Sequence, residues 1–233
     1  MSVEIEVVDD PGRACAAMLV GAAAGGGHVV LTGGSTPRVA YQEFARAAEA
    51  VDLDLAQTHF WFGDERCVAP DDERSNYLLA RESLLEPLGA RAPVHVHRMH
   101  GELGHEEGAA EYERQLQRAG EPLFDLLLLG LGGDCHVASL FPDQPTLSEH
   151  ERLVVGVPEA GLEPYVPRIS FTLRTIGMAE QVVFLVSGDG KAEAVERAFG
   201  DQAEPDSHAP ATLVPAVADQ VKVLLDPPAA GRL

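Results

Sequence analysis

Four short apolar runs in this chain each break into a loop of glycine and polar residues. Residues 29–31 (Val-Val-Leu) run into Thr32-Gly33-Gly34-Ser35-Thr36-Pro37-Arg38, and Phe60-Trp61-Phe62 runs into Gly63-Asp64-Glu65-Arg66. Residues 126–129 lead into Gly130-Leu131-Gly132-Gly133-Asp134-Cys135-His136, and residues 183–186 into Ser187-Gly188-Asp189-Gly190-Lys191. Continuous apolar runs of this length mark strands covered on both faces. Helical stretches lie between them, at residues 11–24, 37–50, 76–85, 105–119 and 191–199, with Thr36 as N-cap and Pro37 as first helical residue of the second. Further strands are read at residues 94–99, 153–157, 169–173 and 221–225. The alternation predicts one α/β domain over residues 1–233. Its form is a three-layer, Rossmann-like, open and mostly parallel sheet with helices on both faces. In such a sheet the four loops share the carboxyl edge, where ligands bind.

Charge and cysteine usage narrow the partners. Asp and Glu number 37 against 17 Lys and Arg, a formal charge of −20. That excess argues against nucleic acid and against an anionic membrane surface, since both need clustered positive charge. Cys15, Cys67 and Cys135 form no CxxC pair and no disulfide framework. The first ten residues lack a basic, then apolar, leader pattern, and no segment approaches 18 consecutive apolar residues. The expectation is a soluble, cytoplasmic protein; the oligomeric state is not given, and a monomer is compatible with everything above. Only two lysines occur, Lys191 and Lys222, so a lysine placed in a glycine loop stands out.

The first loop has the parts of a phosphate cradle. Gly33 and Gly34 let backbone N–H groups approach an anion, Ser35 and Thr36 add hydroxyl donors, and the following helix directs its positive end there. Arg38 reads either as a phosphate partner or as a solvated helix residue. No Lys follows the glycines, so this is not a Walker A loop. The loop after residue 129 lacks the third glycine of a dinucleotide fingerprint, because Cys135 stands in its place. It delivers Asp134 and His136 to a strand end, and a loop His beside a cleft is a natural general base. His95, His97, His100 and His105 raise a metal hypothesis, but no Cys partners them and their spacing matches no zinc pattern. No metal is expected, and neither Cys67 nor Cys135 is expected to act as a nucleophile.

Taken together, the loops resemble the 6-phosphogluconolactonases. The resemblance rests on residues 32–37, residues 60–66, Ser75-Asn76 with Ala80-Arg81, residues 130–142, residues 167–172 and residues 188–191, in order across about residues 28 to 200. It implies the sugar-phosphate isomerase type of fold and hydrolysis of 6-phospho-D-glucono-1,5-lactone to 6-phosphogluconate in the oxidative pentose phosphate pathway, without cofactor. By matching position it implies His136 as the base that activates water and Arg66 as the group that offsets charge at the reacting end. Asp134 either orients the imidazole or holds the loop. Gly33, Gly34, Ser35, Thr36, Arg38, Asp64, Arg168 and Lys191 are the candidates for substrate contacts. One rival is an amino-sugar-phosphate deaminase, but that group continues its His loop with Ala-Phe-Asn-Glu-Pro where this chain has Ala138-Ser139-Leu140-Phe141-Pro142. Another is a sugar-phosphate binder without catalysis. The family pattern also has Gly where this chain has Cys135. If that Gly serves a positive φ, Cys strains the turn by about 1–2 kcal/mol; if it serves close substrate approach, the sulfur intrudes.

Overall fold

The computed structural model describes residues 2–89 and 95–233. The chain runs β1 (Ser2–Val7), α1 (Pro11–Ala23), β2 (His28–Leu31), α2 (Ser35–Ala50), β3 (His59–Phe62), β4 (Asp64–Arg66), α3 (Asn76–Ala80), α4 (Glu86–Leu88) and β5 (His95–Val96). It continues with α5 (His105–Arg118), β6 (Leu126–Leu129), β7 (Val154–Val157), β8 (Arg168–Phe171), α6 (Leu173–Ile176), β9 (Val182–Val186), α7 (Ala192–Phe199), α8 (Val214–Val217) and β10 (Gln220–Leu225). Among the described residues, seven strands form one sheet in the order β1-β10-β9-β6-β2-β3-β5, and every neighbouring pair is parallel. All residues of β6 and of β9 are buried, as expected for central strands with helices on both faces.

Strands β4, β8 and β7 form a separate antiparallel sheet that packs with α5. The strands expected at residues 153–157 and 169–173 thus exist as β7 and β8 but lie outside the main sheet; a short apolar run does not state its partner. Side chains from both sheets belong to one contiguous core. Two buried tyrosines tie loops to it. The Tyr41 hydroxyl accepts from Thr32 N–H at 2.8 Å and donates to Thr32 C=O at 2.7 Å. Tyr112 accepts from Phe62 N–H at 2.8 Å and donates to His97 C=O at 3.0 Å.

Other boundaries shift for local reasons. β1 has no counterpart among the expected strands, although Val3-Glu4-Ile5-Glu6-Val7 alternates with period two. α2 begins at Ser35, with Gly34 rather than Thr36 as N-cap and no side-chain capping bond. Gly34 sits at φ 119°, a conformation that L side chains avoid. Pro37 then falls in the first turn, where its missing N–H costs nothing. Residues 76–85 are helical, but Arg81–Leu85 winds as a π-helix. The strand read at 94–99 is reduced to β5, and residue 94 lies outside the described residues. Asp189–Lys191 forms a 3₁₀ turn before α7.

From β2 the chain builds outward to β3 and β5; from β6 it builds the other way, to β9 and β10. The direction reverses between β2 and β6, the position where open α/β sheets hold ligands.

Candidate active site

A cleft of about 230 Å³ opens at that reversal. β9, β6, β2 and β3 are contiguous in the sheet, and the segment after each contributes to the walls: Gly33 and Gly34, Asp64 and Arg66 of β4, Gly132 and His136, and Lys191. Arg168, at the start of β8, completes them together with Leu162 and Glu163 from the segment before it. The four glycine loops singled out in the sequence therefore meet at one place.

His136 and Asp134 form its hydrogen-bonded centre. His136 Nδ1 lies 2.6 Å from Asp134 Oδ1, and the same oxygen accepts from the His136 backbone N–H at 3.1 Å. Burial raises the Asp134 carboxyl, but the hydrogen bonds and charge of His136 outweigh it, and the group sits below the usual carboxylate range. A carboxylate accepting at Nδ1 leaves the lone pair of a neutral imidazole on Nε2. The Phe141 ring packs on the imidazole with centroids 4.6 Å apart. A Cβ built on Gly132 would lie 2.1 Å from His136 Nδ1 and 2.5 Å from Asp134 Oδ1, so only glycine leaves room for the pair.

Cys135, between the two, has φ 66°. Of the two roles considered for the family's glycine, backbone conformation is the one this turn requires. The sulfur is fully buried, approaches the Ala194 carbonyl oxygen at 3.5 Å, and is absent from the cleft walls. Burial raises the Cys135 thiol, and it pushes Cys67 up to about 11. Neither is a ready thiolate at neutrality.

Three cations converge on the cleft. Arg66 and Arg168 are register partners across β4 and β8. Arg168 is almost wholly buried; its Nε donates to Val166 C=O at 3.1 Å and Nη2 to Pro164 C=O at 2.8 Å. Burial, then the charge of Arg66, lowers its pKa. Arg66 donates from Nη1 to the Arg74 carbonyl, and Lys191 Nζ donates to Leu131 C=O at 2.7 Å. Arg38 stands apart from the cleft walls, with Nη1 3.7 Å from Glu82. Ser35 and Thr36 are likewise outside the walls, in the first turn of α2, whose N-cap Gly34 is part of them.

Several contributors lie outside the expected site residues. Asn76 faces the cleft, and its Oδ1 would lie 2.0 Å from a Cβ on Gly33. Glu65 is buried and accepts from Arg66 N–H at 2.7 Å, Asn76 N–H at 2.7 Å and Tyr77 N–H at 2.8 Å, which closes the amino end of α3. Burial raises its pKa, against the pull of those bonds. Ser139 and Ser170 are buried polar residues beside Asp64. The Ser75-Asn76 pair was legible as a motif; the rest depend on tertiary placement.

At the amino ends of the strands, away from the cleft, the histidines form a row. His28, His59 and His95 are in register across β2, β3 and β5, with ring centroids 4.4 and 4.2 Å apart. His97 stacks on Trp61 at 3.7 Å, and its Nε2 lies 3.0 Å from His59 Nδ1. Trp61 Nε1 donates to His28 Nδ1 at 3.0 Å. The rings stack rather than converge, and among the described residues no group of three or more His, Cys, Asp or Glu side chains could hold a metal ion. No helix among them is long and apolar enough to cross a membrane.

Comparison with known proteins supplies independent observations. Residues 6–223 match the sequence model of the family described as glucosamine-6-phosphate isomerases/6-phosphogluconolactonase. The human 6-phosphogluconolactonase is 38% identical over 192 residues, covering 79% of this chain and 72% of the relative. The Synechocystis 6-phosphogluconolactonase is 37% identical over 191 residues, covering 79% and 76%. Among solved structures, the 6-phosphogluconolactonase of Trypanosoma brucei superposes with a TM-score of 0.83 at 27% identity, covering 100% of this chain and 99% of the other.

Proposed function

Because the chain belongs to the glucosamine-6-phosphate isomerase/6-phosphogluconolactonase family, we propose that it hydrolyses 6-phospho-D-glucono-1,5-lactone with water activated by His136. The enzyme is a lactonase of the oxidative pentose phosphate pathway, and its substrate is a sugar-phosphate lactone. The observation that carries the mechanism is the Asp134–His136 pair at 2.6 Å in a cleft that also holds Arg66, Arg168 and Lys191. Asp134 accepts a hydrogen bond from Nδ1–H, so Nε2 takes a proton from water as the water oxygen attacks lactone C1. Negative charge builds on the carbonyl oxygen, where Arg66 offsets it. The ring C–O bond then breaks, and the imidazolium returns the proton to the departing ring oxygen. Arg168 and Lys191 supply positive charge for the phosphate, with the amino end of α2 and Gly33-Gly34 beside them. Every group named here belongs to this chain, as a monomeric enzyme requires, and the same proposal has it working in the cytoplasm.

The test generates the lactone in place with glucose-6-phosphate dehydrogenase and follows its loss against spontaneous hydrolysis. The wild type accelerates that loss, and His136→Ala keeps the fold while losing about 10²–10⁴-fold in turnover. Unchanged hydrolysis by His136→Ala would remove His136 from the mechanism. Release of ammonia from glucosamine 6-phosphate would move the chain to the deaminase side of its family.

A further inference from the structure

Asp64 lines the cleft, yet both oxygens of its buried carboxylate are engaged by protein. Oδ1 accepts from Asn76 Nδ2 at 3.0 Å, and Oδ2 accepts from Ser139 Oγ at 2.8 Å. The register partner of Asp64 across β4 and β8 is Ser170. Ser170 Oγ accepts from the Ser139 backbone N–H at 3.1 Å and donates to Phe171 C=O at 2.9 Å. Ser139 is thus gripped by its side chain from one strand and by its backbone from the other. It is fully buried, follows His136 by three residues, and sits in a tight turn closed by Leu140 N–H on Val137 C=O at 2.8 Å. Two residues along the same ladder, Arg66 faces Arg168, and side chains two apart on a strand share a face. One short ladder therefore carries both the grip on the base's loop and the paired guanidinium groups.

We propose that Asp64 and Ser139 are positioning residues for the lactone hydrolysis: through them the β4–β8 ladder fixes His136 relative to Arg66 and Arg168. The inference rests on the function proposed above. It also gives the carboxylate in the cleft wall a task other than substrate contact, since each of its oxygens accepts a hydrogen bond from the protein. Misplacing a reacting group by about 1 Å can cost about 10²-fold in rate, so the grip has a kinetic consequence.

The decisive comparison is Asp64→Asn against Asp64→Ala, with kcat and KM measured on fresh lactone. A serine hydroxyl accepts as readily as it donates, so the amide of Asp64→Asn keeps both contacts with the Ser139 bond reversed. Asp64→Asn stays within about fivefold of the wild-type kcat, whereas Asp64→Ala loses about 10²-fold with KM changed by less than about threefold. Ser139→Ala, which removes one hydroxyl and reports even where Asp64→Ala is poorly folded, shows the same pattern. The double variant is no worse than Asp64→Ala alone, because both remove one link. Calorimetric binding of 6-phosphogluconate verifies that the cationic wall persists in each variant. An Asp64→Asn as inactive as Asp64→Ala overturns the proposal, because charge and not placement is then what the reaction needs. Losses that multiply in the double variant overturn it as well. A wild type that fails to hydrolyse the lactone overturns the functional reading and this proposal with it; an active wild type with a dead Asp64→Asn overturns this proposal alone.

Discussion

Arg66 and Arg168 stand opposite one another across the antiparallel β4–β8 ladder. Like charges in directly opposed positions repel, and among the described residues neither guanidinium lies within ion-pair distance of a carboxylate. An anion between them would relieve the repulsion. Arg66→Met is expected to lose about 10²-fold in kcat/KM. It should also reduce the rise in Tm that 6-phosphogluconate gives the wild type. Kinetics and a thermal melt with and without product check both; wild-type kcat/KM in the variant would show that the pair serves only the fold.

Gly132→Ala tests the space around the base. The added methyl would overlap His136 Nδ1 and Asp134 Oδ1, so either the ring or the carboxylate must move. Turnover is expected to fall about 10²-fold, with a native circular dichroism spectrum. A variant with wild-type kcat would mean that the Asp134–His136 contact does not govern the rate.

Cys135 separates strain from chemistry. Its φ of 66° is retained in Cys135→Ala and becomes unstrained in Cys135→Gly. In urea unfolding, Cys135→Gly should exceed Cys135→Ala in stability by about 1 kcal/mol despite its smaller side chain. Both should turn over lactone near the wild-type rate, because the sulfur faces Ala194. Equal stability of the two variants would mean that the turn relaxes around Cβ.

The histidine row gives the protein an acid limit. Burial, then the neighbouring histidines, pushes His59 and His97 down to about 4, and burial lowers His28 as well. An unfolded histidine titrates near about 6.5. Below that value the unfolded state therefore binds more protons than the folded one, and stability falls as pH drops from about 6.5 toward 4. Above that window these groups contribute no slope. Thermal melts from pH 7 to 4 should show the fall, and the double variant His59→Gln/His97→Gln should flatten it. An undiminished slope in the double variant would place the acid sensitivity elsewhere.

The reach of the sequence differs between kinds of feature. The glycine loops were legible because a tight, polar strand-to-helix turn is a local property, visible in Thr32-Gly33-Gly34 and in Gly130–Asp134. Their convergence followed from one rule about parallel sheets. What Asp64 holds was not legible: its partners lie 12 and 75 residues away, and a local pattern carries no such information. The antiparallel β4-β8-β7 sheet escaped for the same reason. Arg38 shows the converse, since a basic residue beside a phosphate-like loop turned out to face Glu82. β1 is within reach of the sequence, as the alternation from Val3 to Val7 is complete.

β1 also sets the order in which the molecule can be completed. It pairs along its whole length with β10, from Ser2 opposite Gln220 to Val7 opposite Leu225. On the ribosome β1 must therefore wait for β10, which is made some two hundred residues later. At about 5–20 residues per second that interval is roughly 10–40 s. Throughout it Val3, Ile5 and Val7 have no native strand beside them, while Glu4 and Glu6, which later meet Lys222 at 2.9 and 2.8 Å, keep the segment charged. Until β10 is made, those two carboxylates protect an unpaired strand from association; only afterwards do they become half of an ion-pair network.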